Sequence, residues 1–344
     1  MKRSAKPILA VTMGDPAGTG PELIIKALTH PELRAVCRPV VVGDARMLVE
    51  AAAIVCLHPE IRKISSPSAV LDDPEVIPVI DLNNVPRHGF ERRKASPTGG
   101  HAAYEYICRA VELAKSGDMQ AIVTSAINKA ALHAAGHHYD GHTELLAALC
   151  GNPKVTMMLA TGKLRVCHVS THVSLTEAIK RVRADRIVSV IQLARDGMRE
   201  LGVEDPHIAV AGLNPHAGEG GLFGDEEIRH ITPAIEQARA LGIRVSGPYA
   251  GDTVFFRTLQ GQFDCAIAMY HDQGHVAAKM LGIWQGVNIT LGLPIIRTSV
   301  EHGTDFENAG KGIGDPRSLL CALNLAATMV ANRLAVTGSA IKTV

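Results

Sequence analysis

Sixteen histidines are dispersed through this chain, and three of them fall where a sheet would present them. His172 follows the apolar run that ends at Val169. His216 follows Ala209–Leu213, and His271 follows Ala266–Tyr270. Parallel α/β sheets bind ligands outside the carboxyl ends of their strands. Three imidazoles gathered there would suit Zn²⁺ or another borderline divalent metal. The three are tens of residues apart, so nothing local obliges them to meet. Separate, solvated histidines fit the same spacing. His30, His58, His88 and His230 have loop or helix settings and read as solvated.

Anion chemistry has three candidate places. Lys279, Asn288 and Arg297 lie among glycines and small residues. Cations there could clamp a carboxylate or phosphate, Arg in bidentate fashion. The alternative is two solvated charges and a turn Asn. Asp140-Gly141-His142-Thr143-Glu144 opens a helix, where a hydroxyl, an imidazole and free N–H groups could hold phosphate. A plain N-cap threonine is the alternative. Met13 to Glu22 links a strand to a helix through Gly14, Gly18 and Gly20. It is neither G-x-G-x-x-G nor a P-loop. Its glycines suit either close approach to an anion or a tight turn.

The elements that must position these residues alternate along the chain. Short apolar runs at Ile8–Met13, Pro39–Val42, Val76–Ile80, Ala121–Thr124, Val155–Leu159, Leu164–Val169, His207–Ala211, Ile243–Ser246 and Cys265–Met269 predict strands. Helical patterns separate them, so the class is α/β with a parallel sheet covered on both faces. Ser174 and Glu177 form a capping-box pattern opening one helix that runs past Val190. Asp315 and Pro316 open the last helix. Asn83–Gly100, rich in Pro, Gly and charge, predicts a loop.

Composition excludes several function classes. Lys plus Arg total 35 against 34 Asp plus Glu, and aromatics are only 3%. That argues against a nucleic-acid partner, which calls for a basic stripe or stacking platform. No uninterrupted apolar run approaches the roughly 20 residues of a membrane span. The basic start, Met1 to Lys6, precedes an apolar stretch too short for a signal peptide. Seven scattered cysteines without C-x-x-C point to reduced thiols in the cytoplasm.

Taken in order, five segments resemble the 4-hydroxythreonine-4-phosphate dehydrogenase family of pyridoxal phosphate biosynthesis. They are Gly14–Glu22, Gly141–Glu144, Gly212–Gly221, Met269–Gly274 and Gly286–Ser299, and the resemblance runs from about residue 8 to 335. It implies an isocitrate/isopropylmalate dehydrogenase-like fold, two α/β/α domains flanking a cleft. The domains would be residues 1–125 with 296–344, and residues 126–295. It implies a homodimer with active sites at the subunit boundary. It implies a divalent metal (Zn, Co or Mg) on His172, His216 and His271. Substrate-binding positions carry over to His142, Thr143, Lys279, Asn288 and Arg297. For NAD the candidates are Asp252, Thr253, Asn288, Leu291 and Gly292, since no dinucleotide fingerprint exists.

The chemistry so implied is oxidation at C3 of a four-carbon 3-hydroxy acid 4-phosphate, with NAD⁺ taking the hydride. Decarboxylation of the β-keto acid follows, a metal stabilising the enolate as Lewis acid. Lys279 would orient the carboxylate or reprotonate the enolate. Three departures lean the substrate from 4-phosphohydroxy-L-threonine toward D-threonate or D-erythronate 4-phosphate. Thr124–Lys129 replaces a Gly-Pro-Val-His-Lys form, His275 stands where an aliphatic residue is common, and Gly136–Asp140 resembles the catabolic relatives. A metal-dependent phosphatase is the rival, but it needs bridging carboxylates, and only Asp272 adjoins these histidines. A sugar-phosphate sensor would need an effector domain that the sequence does not show.

Overall fold

The computed structural model describes residues 6–70 and 72–338, so the basic start Met1–Ala5 lies outside the described residues. The strands, in chain order, are β1 Ile8–Thr12, β2 Arg38–Gly43, β3 Glu60–Lys63, β4 Val76–Asp81, β5 Ala121–Thr124, β6 Thr156–Thr161, β7 Leu164–His168, β8 Ile208–Ala211, β9 Val245–Tyr249, β10 Cys265–Ala268, β11 Val287–Leu291 and β12 Ile296–Val300. Two compact units result: Met1–Asn152 with Leu293–Val344, and Pro153–Gly292. Residues 126–152, expected with the second domain, lie in the first unit, where helix Lys129–Ala134 packs on helix Pro97–Lys115.

The first unit carries strands in the order β3-β4-β2-β1-β5-β12, each pair parallel. Its apolar runs are buried on both faces, β1 along its whole length. That is what a parallel sheet under crossover helices requires. The last helix, Arg317–Thr337, lays Leu319, Leu323, Ala326 and Val330 into this core, against β12 and β5. By length and composition it is apolar enough to cross a membrane, contrary to the expectation of no such run. The tertiary contacts of that buried stripe make it a core helix of this unit.

In the second unit the order is β11-β6-β7-β10-β8-β9. Strands β7, β10, β8 and β9 are mutually parallel, while β11–β6 and β6–β7 are antiparallel. The all-parallel expectation fails here because Gly162, at φ +54°, turns a tight hairpin between β6 and β7. Three strands escaped the sequence reading. Edge strand β3 is short and charged (Glu-Ile-Arg-Lys), the usual guard against edge pairing. β11 and β12 carry the polar Asn288 and Arg297 and read as ligand segments.

Helix boundaries follow their caps. Ser174 Oγ accepts from Glu177 N at 3.2 Å, as expected, but the helix stops at Arg181 and a second runs Ala184–Glu200. Pro97 is a first-turn proline capped by Ser96, so the expected loop ends at Ser96 and not at Gly100. Asp315 accepts from Arg317 N, one residue ahead of the cap.

Candidate active site

The three strand-end histidines belong to neighbours. His172, His271 and His216 follow β7, β10 and β8, which are consecutive parallel strands of the second unit. His271 is the first residue of helix His271–Met280, immediately after the strand end. Its ring stands 5.7 Å from that of His172, centroid to centroid. His271 Nδ1 lies 2.6 Å from the Asp272 carboxylate. A carboxylate accepts, so Nδ1 carries the hydrogen and Nε2 keeps its lone pair. Both histidines line a cavity of about 480 Å³ with Ser170, Ser174, Tyr270 and Asp272.

His172 (φ +41°) and His216 (φ +52°) both occupy left-handed backbone. That conformation costs a non-glycine residue roughly 1–3 kcal/mol and concentrates at functional sites. The strain at His216 is shared by Ala217 and Glu219 in the same loop. Buried Glu227 holds the loop: its Oε1 accepts from Leu213 N (2.7 Å) and Asn214 N (2.8 Å), its Oε2 from Asn214 Nδ2 (2.9 Å). Gln273 ties the neighbouring strand ends, accepting from Met269 N and donating to Gly212 O, each at 2.7 Å. Neither residue emerged from sequence reasoning. The acidic pair Glu226-Glu227 and the Gln of His-Asp-Gln-Gly were the available signals.

The donor set is chemically suited to a divalent ion: imidazole nitrogens, one ring already oriented by a carboxylate behind it. Two of the three rings are side by side. His216 instead lies 6.2 Å from Phe223, and among the described residues no three His, Cys, Asp or Glu side chains stand close enough to hold a metal.

The remaining candidates of this unit occupy varied settings. Lys279 is exposed and follows His271 and His275 at steps of four along one helix, hence along one stripe. Asn288 is half-buried, its amide donating to Met157 Sδ and its Oδ1 shielded without a partner among the described residues. Asp252 and Thr253 are exposed at the turn before helix Val254–Leu259. Leu291 is buried against Gly197, and Gly292 has φ +92° where a Cβ would meet Lys154 O at 2.1 Å. Those two positions offer backbone, not side chains, to any ligand.

A second polar cluster lies in the first unit. Arg297, buried on β12, donates to Thr124 Oγ1 at 2.7 Å and 3.2 Å. Burial pulls its guanidinium down to about 9, with the Glu144 carboxylate acting the other way. The reading of Arg297 as a solvated charge is thereby excluded. His142 opens helix His142–Leu149, whose N-cap is Gly141 and not Thr143. Burial, then the Arg297 charge, hold the His142 imidazole well below its usual range, so it is neutral. His142 Nε2, Glu144 Oε2 and Ser125 Oγ are all shielded and without partners among the described residues. Buried polar atoms of this kind belong with a bound polar ligand or water. Thr143 is half-buried beside them in sequence.

The glycine loop does not share that character. Cβ atoms at Gly14, Gly18 and Gly20 would each sit 2.4 Å from a backbone oxygen, of Ala126, Thr304 and Met13 respectively. Glu22, in the first helical turn, accepts from Gly310 N and Gly312 N. The loop is filled by its own chain, which is the tight-turn reading.

Comparison with known proteins shows the family. Residues 35–326 match the family described as "Pyridoxal phosphate biosynthetic protein PdxA". A D-threonate 4-phosphate dehydrogenase of Cupriavidus necator is 48% identical, covering 95% of this chain and 98% of that protein. A 4-hydroxythreonine-4-phosphate dehydrogenase of Trichlorobacter lovleyi is 44% identical over 95% of this chain and 99% of its own. The crystal structure of a 4-hydroxythreonine-4-phosphate dehydrogenase from Klebsiella pneumoniae superposes with a TM-score of 0.87 at 44% identity, covering 94% and 100%.

Proposed function

This chain belongs to the PdxA family and is a dehydrogenase, and from that premise we propose an NAD-dependent, metal-dependent oxidative decarboxylation of a four-carbon 3-hydroxy acid 4-phosphate. The observation that carries the reading is the order β7-β10-β8, which sets His172, His271 and His216 at consecutive strand ends. Zn, Co or Mg would be held by these three. Bound there, the ion supplies Lewis-acid stabilisation of negative charge developing on the substrate's C3 oxygen, and NAD⁺ supplies the hydride acceptor.

The chain's own residues do the rest. Asp272 holds the His271 tautomer that leaves Nε2 available. Arg297, Lys279 and the helix start at His142-Thr143 bind and orient the anionic ends of the acid, and Asn288 Oδ1 receives a hydroxyl. Lys279, exposed on the stripe of His271, delivers the proton that replaces CO₂. Backbone around Gly251–Thr253 and Leu291-Gly292 is the proposed nicotinamide-dinucleotide contact, with Asn288. We also propose a homodimer in the cytoplasm. Seven free thiols fit that compartment. No partner other than the small phosphorylated substrate and a second copy of the chain is required.

Among substrates, D-threonate or D-erythronate 4-phosphate is favoured over 4-phosphohydroxy-L-threonine. Ser125, in place of the biosynthetic loop form, puts near His142 a buried hydroxyl without a partner among the described residues, where a hydroxylated acid can use it. Turnover of the three phosphorylated acids at equal concentration tests the choice. Preference for the amino acid phosphate would reverse it.

A further inference from the structure

Behind His271 the row of imidazoles continues within the second unit. His275 lies four residues on, along the same helix face, and is buried. Its ring is parallel to that of His271, with centroids 3.6 Å apart and planes 11° apart. His275 Nδ1 sits 2.9 Å from the His271 carbonyl oxygen. A carbonyl only accepts, so Nδ1 is the protonated nitrogen. On the far side, His168 tilts against His275 at 4.7 Å and 47°. The helix is seated closely there, since a Cβ on Gly274 would stand 2.3 Å from His168 Nε2.

We infer that His275 is a positioning residue: its Nδ1–H bond to the His271 carbonyl anchors its own ring, and that ring, stacked on the His271 imidazole, holds the latter in its orientation beside the His172 ring. The inference rests on the reading of His271 as a metal ligand. The two devices on His271 are complementary. Asp272 fixes which nitrogen carries hydrogen, and His275 fixes the plane of the ring. A leucine at 275 would fill much of the same space, yet it offers neither a flat face nor a donor. Groups that orient a ligating histidine typically account for 10–100-fold in metal affinity.

The test is Co²⁺ binding to the full-length protein, by chelator competition and by the visible absorption of the bound ion. Wild type, His271→Ala, His275→Leu and His275→Phe are compared, with melting temperatures recorded for each. The wild type should bind Co²⁺ and His271→Ala should lose that site. His275→Leu should bind about 10-fold more weakly or worse, with an altered visible band. His275→Phe, which keeps the stack but not the donor, should fall between wild type and Leu, and carries the test if Leu does not fold. Affinity within twofold of wild type and an unchanged band in both variants would overturn the role of His275 while leaving the metal reading standing. Absence of Co²⁺ binding by wild type, or its survival in His271→Ala, would overturn the metal reading and this inference with it. Long-range ¹H–¹⁵N spectra of the unaltered metal-free protein give an independent check. His275 should be the Nδ1–H tautomer, and an Nε2–H tautomer would refute the proposal.

Discussion

Replacing Glu227 with Gln should destabilise the second unit and loosen the His216 loop together. The change keeps shape and removes charge. Two backbone N–H donors, of Leu213 and Asn214, now meet a neutral amide oxygen in place of a carboxylate. Hydrogen bonds to charged groups contribute about 1.5–3 kcal/mol and neutral ones about 0.5–1.5, so each loses about 1 kcal/mol. The third donor, Asn214 Nδ2, would face the new NH₂ group, donor to donor, and that bond goes as well. The sum is about 3 kcal/mol. For a unit of this size that corresponds to a fall in Tm of roughly 6–12 °C. Relaxation of the left-handed residues at 216, 217 and 219 then lets His216 wander, and Co²⁺ affinity should drop alongside. Calorimetry and Co²⁺ titration of Glu227→Gln measure both effects. A Tm within about 2 °C of wild type with undiminished Co²⁺ affinity would refute the argument that this carboxylate holds the loop.

Arg297→Lys keeps the charge but loses the planar fork in a buried site, so KM for the phosphorylated acid should rise at least about 10-fold while KM for NAD holds; steady-state kinetics with each substrate varied separate the two, and an unchanged acid KM removes Arg297 from the site. Asp15 is buried, and desolvation raises its pKa from 3.8 to about 6 despite the Ala17 N–H. Its protonated form is therefore favoured in the fold, and stability from this group is complete below about pH 4 and lost as pH rises through about 6, amounting to about 3 kcal/mol by pH 8. Asp15→Asn, which keeps the Oδ1 acceptor, should gain on wild type over that window; parallel stability–pH curves would show the carboxyl does not titrate there. Removing the substrate phosphate should lower kcat/KM and not merely raise KM; equal turnover of unphosphorylated D-threonate would contradict it.

The sequence made the architecture legible wherever a strand was apolar throughout. β1, β2, β5, β8 and β10 announce themselves because both faces are buried. It was blind where a polar residue sits within a strand, as at Asn288 and Arg297, since such a residue breaks the apolar run that identifies the strand. The places of His172, His216 and His271 after strands were readable in the sequence. That those strands are neighbours was not, because it depends on β10 inserting between β7 and β8, which no local pattern records. Glu227 and Gln273 were invisible for a related reason. Their work is done on backbone groups, which carry no sequence signature. The glycine loop left two readings open from sequence, and its glycines sit where a Cβ would meet the backbone of Ala126, Thr304 and Met13, as the tight turn requires.

Oxidation coupled to loss of CO₂ under control of a bound metal is directly measurable. Metal-stripped enzyme, NAD⁺ and D-threonate 4-phosphate should give no NADH until a divalent ion is restored. NADH and CO₂ should then appear in equal amounts, with no inorganic phosphate released. Phosphate release without NADH would instead establish the hydrolase, and NADH formation unaffected by chelation would remove His172, His216 and His271 from the chemistry.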